Sequence, residues 1–356
     1  MKRIIYIHGR PSGHPIHDAY AKCIDAKFLA EDYILPWLQK NDQRKIIRYT
    51  SWILCALFFP SKLKNNVLFC EGMRVPPLLV KKLFFFNQKQ QLIALMADES
   101  LYLTASNKYP KLTMFLMKQF FANCDYLVCI GPLQKELAQR ILPHNKHYKI
   151  KEIFNGLSTE NLLKLKSIEI DYSSKNILFI GHIGAEFRYF YKGLDVMVKA
   201  FEKLYEKDQT FTFTLVGEID QSIQNLIKSS VTDSCFKNII FTGKTTVSLQ
   251  IKNAGLCLHA ARGDAFPTST LETMAAALPT MVSDLTGTKE ICRKTHPNLV
   301  SSLEIDELIG SLEWYFNLSI NEKKDIGQKV QVFIQDYTEE KSLYEFKKLM
   351  KSIILN

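Results

Sequence analysis

The chain has 356 residues, 47% of them apolar, which is more than one hydrophobic core serves and sets two compact domains as the expectation. A net charge of +10 asks for an anionic partner, with nucleic acid, an anionic membrane surface and nucleotide phosphates as the candidates, or for none: the lysines are scattered along helical stretches, where a solvated polar face is the commoner meaning, and no nucleic-acid-binding motif occurs, so nucleic acid is not expected. The eight cysteines form no CxxC pair and no zinc-like grouping with histidine, so they read as reduced, buried thiols.

The opening MKRIIYIHGRPSG has a short apolar run before Gly9 and no cleavable small-residue site, and so reads as a first β-strand rather than a signal peptide. That sets a cytoplasmic location as the expectation. Apolar runs at 4–7, 67–69, 92–95 and 126–130 alternate with helical stretches, the grammar of βαβ units around a parallel sheet. After Asn155-Gly156 a polar, charged stretch reaches Lys175, and the same grammar restarts with strands predicted at 177–180, 212–216, 239–242, 256–259 and 280–282. The predicted organisation is therefore a first domain over 1–156, a linker over 157–175, a second domain over 176–337 and a closing helix over 338–356. Leu343, Phe346, Leu349, Met350 and Ile353 give that last helix an apolar stripe that needs a surface to pack on.

One segment stands apart. IIRYTSWILCALFFP over 46–60, with lysines at 62 and 64 and LLVKKLFFF over 78–86, is basic and aromatic together. Its apolar run at 52–60 is too short to span a bilayer, which needs about 20 residues. It reads as a buried helix of the first domain, the preferred reading, or as an interfacial patch in which Trp and Phe enter the headgroup layer while Arg44, Lys45, Arg48, Lys62 and Lys64 meet anionic lipid.

A ligand of two doubly wound domains is expected in the cleft at the carboxyl ends of the strands, so the loops after strands are where chemistry should sit. His8-Gly9-Arg10 follows the first strand, where glycine lets backbone N–H groups approach a phosphate. Gly181-His182-Ile183, an apparent insertion over 184–191, and then Lys192-Gly193-Leu194-Asp195 follow strand 177–180. Lys192 is the stronger candidate for a cation facing a diphosphate, with His182 or Arg188 as the second. The richest stretch is GDAFPTSTLETMAAALP over 263–279, where Asp264 and Glu272 bracket Phe266, Pro267, Thr268 and Ser269 ahead of an alanine-rich helix. One carboxylate can face a sugar while the other, within the helix, accepts hydrogen bonds from a ribose diol; free N–H groups at the helix start suit phosphates. Gly243-Lys244 after strand 239–242 either edges a nucleobase or is a plain connection.

Taken together, ILFIGHIG…YKGLDVMVKAFEKL, FTLVGE, IIFTGK and GDAFPTSTLETMAAALPTMVSDLTGTKEI resemble, in order, the nucleotide-sugar-binding half of the GT4-type (group 1) retaining glycosyltransferases of GT-B fold. The likeness is fainter before residue 175, resting on the opening strand, DYLVCIGPLQKELAQRI and Phe154-Asn155-Gly156. It implies a GT-B fold of two facing Rossmann-like domains, with the last helix crossing back to the first. It implies Lys192 on the donor diphosphate, Glu272 on the ribose, the 266–269 backbone on phosphates and sugar, and Gly9 approaching from the first domain. Three departures stand out: Asp264 where the family has the first Glu of its EX7E motif, His182 where an Arg is customary, and Met96-Ala97-Asp98-Glu99-Ser100 where many members place a histidine on the donor sugar, leaving Asp98 as the candidate.

The activity implied is retaining, metal-independent sugar transfer from a UDP- or GDP-sugar, with no cofactor, to a glycan or lipid-linked acceptor. The departing diphosphate oxygen takes the acceptor proton, and no Asp-x-Asp metal motif occurs. A membrane-linked acceptor would draw on the 44–86 region and make the protein peripheral at the inner face of a membrane. Two alternatives stay open: a catalytically weak or non-catalytic donor-binding subunit, which would explain the three departures, and a nucleotide-sugar epimerase of the same fold using Asp98, Glu99 and Asp264; a third, a purely structural or nucleic-acid-binding protein, fits the charge but leaves the four cleft motifs unexplained.

Overall fold

The computed structural model describes residues 4–8, 15–30, 67–71 and 91–355. Two compact units emerge, Met1–Asn155 with Lys341–Asn356, and Gly156–Glu340. In the first, strands β1 (Ile4–His8), β2 (Lys27–Ala30), β3 (Val67–Glu71), β4 (Gln91–Met96), β5 (Tyr126–Ile130) and β6 (Ile150–Ile153) form one parallel sheet in the order β2-β1-β3-β4-β5-β6. VLFCE, QLIALM and YLVCI are almost unbroken apolar runs because a central parallel strand is covered on both faces, and all but their end residues are buried. Helices α1 (Pro15–Cys23), α2 (Ser100–Ala105), α3 (Lys111–Asn123) and α4 (Pro132–Ile141) belong to this unit.

The second unit repeats the plan. The stretch expected as a linker contains helix α5 (Thr159–Lys166), whose first turn is capped by the Ser158 hydroxyl accepting from the Asn161 N–H at 3.2 Å. The core elements then alternate: β7 (Asn176–Ile180), α6 (Glu186–Tyr191), α7 (Leu194–Lys207), β8 (Thr212–Val216), α8 (Gln221–Ser230), α9 (Asp233–Phe236), β9 (Ile239–Gly243), α10 (Val247–Lys252), β10 (Leu256–His259), α11 (Thr268–Ala275), β11 (Thr280–Ser283), α12 (Lys289–Thr295), β12 (Val300–Ser301), α13 (Ile305–Asn317) and α14 (Ile320–Ile334). The sheet runs β12-β11-β10-β7-β8-β9, all parallel. The chain builds outward from β7 in one direction, then returns to start the other half with β10, so the switch point lies between the carboxyl ends of β7 and β10. Helix α7 shows why the layer holds: Leu194, Met197, Val198, Phe201, Leu204 and Tyr205 recur at helical spacing and are buried against Phe213 and Leu215 of β8.

The last helix, α15 (Glu339–Leu355), belongs to the first unit from Lys341 on. Phe346, Met350 and Ile353 of the predicted stripe are buried, and the Phe346 ring lies 4.8 Å from Tyr20 and 5.6 Å from Phe69. The Tyr20 hydroxyl sits 2.7 Å from Ser342 Oγ and donates to the Phe154 carbonyl at 3.0 Å, so the helix is held by polar as well as apolar contacts. Of the seven cysteines among the described residues six are buried, and burial pushes the Cys257 thiol up to about 12.

Candidate functional site

The switch point of the second unit is where its buried charges meet. β10 ends on His259, and the chain then turns through Ala260, Ala261, Arg262 and Gly263, the last at φ +98°, to present Asp264. From the β7 side, α6 ends at Tyr191, Lys192 follows, and Gly193 at φ +72° starts α7. A Cβ at Gly193 would stand 1.7 Å from the Ala260 carbonyl oxygen, so only glycine lets the Lys192 turn press against the end of β10.

Four further contacts fix this closeness. The Arg262 guanidinium grips both Asp195 carboxylate oxygens, at 2.6 and 2.8 Å, and also donates to the Phe190 carbonyl. The Arg262 backbone N–H donates to the Tyr191 carbonyl at 2.7 Å, and the Tyr191 hydroxyl donates to the Gly263 carbonyl at 2.8 Å. The result is that Lys192 Nζ and His259 Nε2 converge on a single oxygen, Asp264 Oδ2, at 2.5 and 2.7 Å. The lysine and aspartate side chains are only 16% and 14% exposed and that of His259 2%.

Burial alone raises the Asp264 carboxyl pKa, but the Lys192 ammonium and the His259 hydrogen bond outweigh it and hold the group well below the usual carboxylate range. Burial pushes His259 down, with Asp264 opposing and Lys192 adding to the fall. The imidazole is thus neutral near pH 7 and donates through Nε2–H, its ring stacked on Phe179 at 5.7 Å.

Both shifts act in one direction on stability. The unfolded histidine takes up a proton below about pH 6.5 while buried His259 resists it, so its contribution is lost as pH falls through that range; Asp264 contributes above its unfolded value of about 3.9 and loses that only at lower pH. Urea midpoints are therefore expected to fall between about pH 7 and about pH 5, and less steeply in His259→Gln. Equal slopes for the two proteins would show that His259 does not contribute.

Next along the chain, Phe266 is buried with its ring 5.5 Å from Tyr337, and Pro267 occupies the cap position of α11. No side chain caps this helix, so the N–H groups at Thr268 and Ser269 are available to an anion. Glu272 lies one turn further on, its carboxyl pKa raised by burial against a lowering hydrogen bond from the Asn161 side chain of α5.

Not every predicted residue joins this cluster. Gly181 follows β7 at the switch point, but His182 is exposed, its Nδ1 3.7 Å from an exposed Glu218 carboxylate. Arg188 is half-buried on α6, two residues before Phe190, to whose carbonyl Arg262 donates. Lys244 is exposed beyond edge strand β9, three strands from β10. Asp98 is in the first unit, where Oδ1 accepts from the Ser100 N–H at 3.1 Å and from its hydroxyl, serving the start of α2. Gly9 and the 44–66 and 78–86 parts of the aromatic and basic region lie outside the described residues. Conversely, His259, the Arg262–Asp195 pair and Asn161 escape the sequence reading. The only signal for His259 is a histidine closing an apolar strand five residues before an aspartate.

Among the described residues no group of three or more His, Cys, Asp or Glu is placed to hold a metal ion, and no helix is long and apolar enough to cross a membrane.

Residues 174–315, all of the second unit but its first 18 and last 25 residues, match the family described as Glycosyl transferases group 1. No curated protein sequence matches the chain. Among solved structures, sucrose-phosphate synthase of Thermosynechococcus elongatus is similar at 12% identity and TM-score 0.76, each chain covered in full. HepE of Anabaena, in complex with UDP-glucose, is similar at 12% identity and TM-score 0.70 over 99% of this chain and 100% of that one. TarM of S. aureus is similar at 15% identity and TM-score 0.61 over 83% of this chain, which spans 58% of that protein's length. At such identities the likeness is one of fold, and the fold is GT-B. Together with the family match over the second unit it supports a transferase enzyme.

Proposed function

We propose that the chain is a retaining glycosyltransferase that moves a sugar from a nucleoside-diphosphate sugar, UDP- or GDP-linked, to a glycan or lipid-linked acceptor at the cytoplasmic face of a membrane, without a metal ion. The observation that carries this reading is the convergence of Lys192 and His259 on Asp264 at the switch point, eight residues before a half-buried Glu272 on an uncapped helix. Lys192 has three N–H donors, so it can keep Asp264 and still donate to a diphosphate. Asp264 then offers its other oxygen to a sugar hydroxyl, the N-terminus of α11 faces the phosphates, and Glu272 accepts from the ribose diol.

In the transfer the bond between the anomeric carbon and the diphosphate oxygen breaks, and the acceptor oxygen bonds to that carbon on the same face. The acceptor proton passes to the departing oxygen, so no protein base is required. The charge growing on the diphosphate is met by Lys192, by the α11 N–H groups and by Arg188 as the second cation. Gly9 and Asp98 remain proposed contributors from the first unit.

Because HepE was crystallised with UDP and with UDP-glucose, these are the first ligands to try. Calorimetric titration in EDTA is expected to show binding of one nucleoside diphosphate and its sugar, unaltered by added Mg²⁺ and lost in Glu272→Ala. Binding that needs Mg²⁺ would remove the metal-independent mechanism. Absence of any nucleotide binding would remove the reading as a whole, whereas tight binding with no transfer to any glycan acceptor would make the chain a donor-binding subunit.

A further inference from the structure

Helix α3 (Lys111–Asn123) has two faces. Met114, Met117, Phe120 and Phe121 are buried in the first unit, as the core side of a surface helix should be. The opposite side carries Leu112, Phe115 and Leu116, at the one-turn spacing that puts them next to each other, and they are 72%, 58% and 52% exposed. Elsewhere among the described residues large exposed apolar side chains occur singly or in pairs, which a soluble surface tolerates. Three on one helical face is an apolar patch seeking cover.

The charge on this stretch of the chain is of one sign. Between Glu99 and Asp125 the chain has no carboxylate, and its lysines at 108, 111 and 118 are all exposed. Lys111 is the first residue of the helix, where the helix dipole is positive and an acidic residue would be the stabilising choice; no side chain caps that end. A lysine placed there adds to the positive field instead. On the helix, Lys111 and Lys118 lie on one flank of the apolar trio, so ammonium groups border the rings and aliphatic side chains that would be covered.

We propose that this face of α3 docks on an anionic phospholipid surface, with Leu112, Phe115 and Leu116 entering the headgroup boundary and Lys108, Lys111 and Lys118 meeting lipid phosphates. A neutral membrane or an uncharged protein groove would leave the lysines unmatched, and a second copy of the same face would bring lysines against lysines. The site is independent of the sugar-transfer reading, because no residue in it belongs to the candidate site of the second unit.

The test is cosedimentation of the full chain with vesicles of phosphatidylcholine alone and of phosphatidylcholine with phosphatidylglycerol. Recovery with the anionic vesicles only, falling as salt rises, is the expected result. Replacing Leu112, Phe115 and Leu116 together by serine is expected to abolish it. Lys111→Gln with Lys118→Gln, which leaves the apolar trio in place, is expected to weaken binding about fivefold per lysine. Circular dichroism melts of both variants serve as folding controls, since all five side chains lie on the exposed side of the helix. Equal recovery on both vesicle types, or unchanged binding in a folded serine variant, would overturn the proposal. So would light scattering that shows a dimer which the serine variant dissociates.

Discussion

Asp264→Ala is expected to cost about 3–5 kcal/mol of folding stability, because it leaves the Lys192 ammonium largely buried with no carboxylate beside it. Lys192→Ala should be costly for the mirror reason. Burial would then act on the carboxylate with only His259 to oppose it, and the carboxyl pKa would climb. The informative protein is the double variant. If the pair is coupled as the 2.5 Å contact implies, its loss should fall short of the sum of the single losses by about 2–3 kcal/mol, read from urea unfolding. Simple additivity would mean that water already solvates both groups and that the contact is incidental. Turnover is a separate readout: Asp264→Asn keeps the shape and the His259 contact, so the fold should survive, while sugar transfer should fall about 10²–10³-fold if the carboxylate is needed as a charged acceptor. A folded Asp264→Asn protein with undiminished transfer would remove Asp264 from the chemistry.

Much of this fold was legible because central parallel strands are covered on both faces and so are written as apolar runs. Every strand predicted from such a run is present, and several extend a residue beyond it. The three strands that escaped, β2, β6 and β12, share a position: each is at a sheet edge. IKEI of β6 sets two charged, half-buried residues between its apolar ends, so an edge strand that meets water shows no apolar run, and VS of β12 is too short to show any period. Helix α5 escaped for a different reason. TENLLKLK is polar enough to read as connector, and only Leu162 and Leu165 turn inward.

The candidate site was legible as separate loops and not as a cluster. Sequence order places Lys192 and Asp264 72 residues apart, and nothing in either loop announces that the two charges pair with each other. Their meeting is a consequence of the strand order, in which β10 returns to lie beside β7. The same crossing explains why Arg262 and Asp195, each unremarkable in its own loop, form a two-pronged ion pair. Lys244 illustrates the converse, since it follows edge strand β9 and the strand order sets it three strands away from β10 and the cluster.

Two glycines allow the geometric part of the argument to be tested without touching any charge. Gly193 and Gly243 both have left-handed backbone, φ +72° and +64°, so an alanine at either should cost about 1–2 kcal/mol in conformational strain alone. At Gly243 an added Cβ meets nothing within 4 Å, and Gly243→Ala should cost no more than that. At Gly193 the same atom would stand 1.7 Å from the Ala260 carbonyl oxygen, a backbone atom that cannot swing aside as a side-chain end would. Either α7 or the end of β10 must move, in a layer where Leu194 and Ala260 are buried. Gly193→Ala is therefore expected to cost about 4 kcal/mol or more in urea unfolding. In whatever fraction remains folded, Lys192 is displaced from Asp264, and a misplacement of about 1 Å should cut transfer about 100-fold. Equal, small losses for the two variants would mean that the chain can relax around Gly193, and that the approach of Lys192 to Asp264 is set by the Arg262–Asp195 pair and the Tyr191 contacts instead.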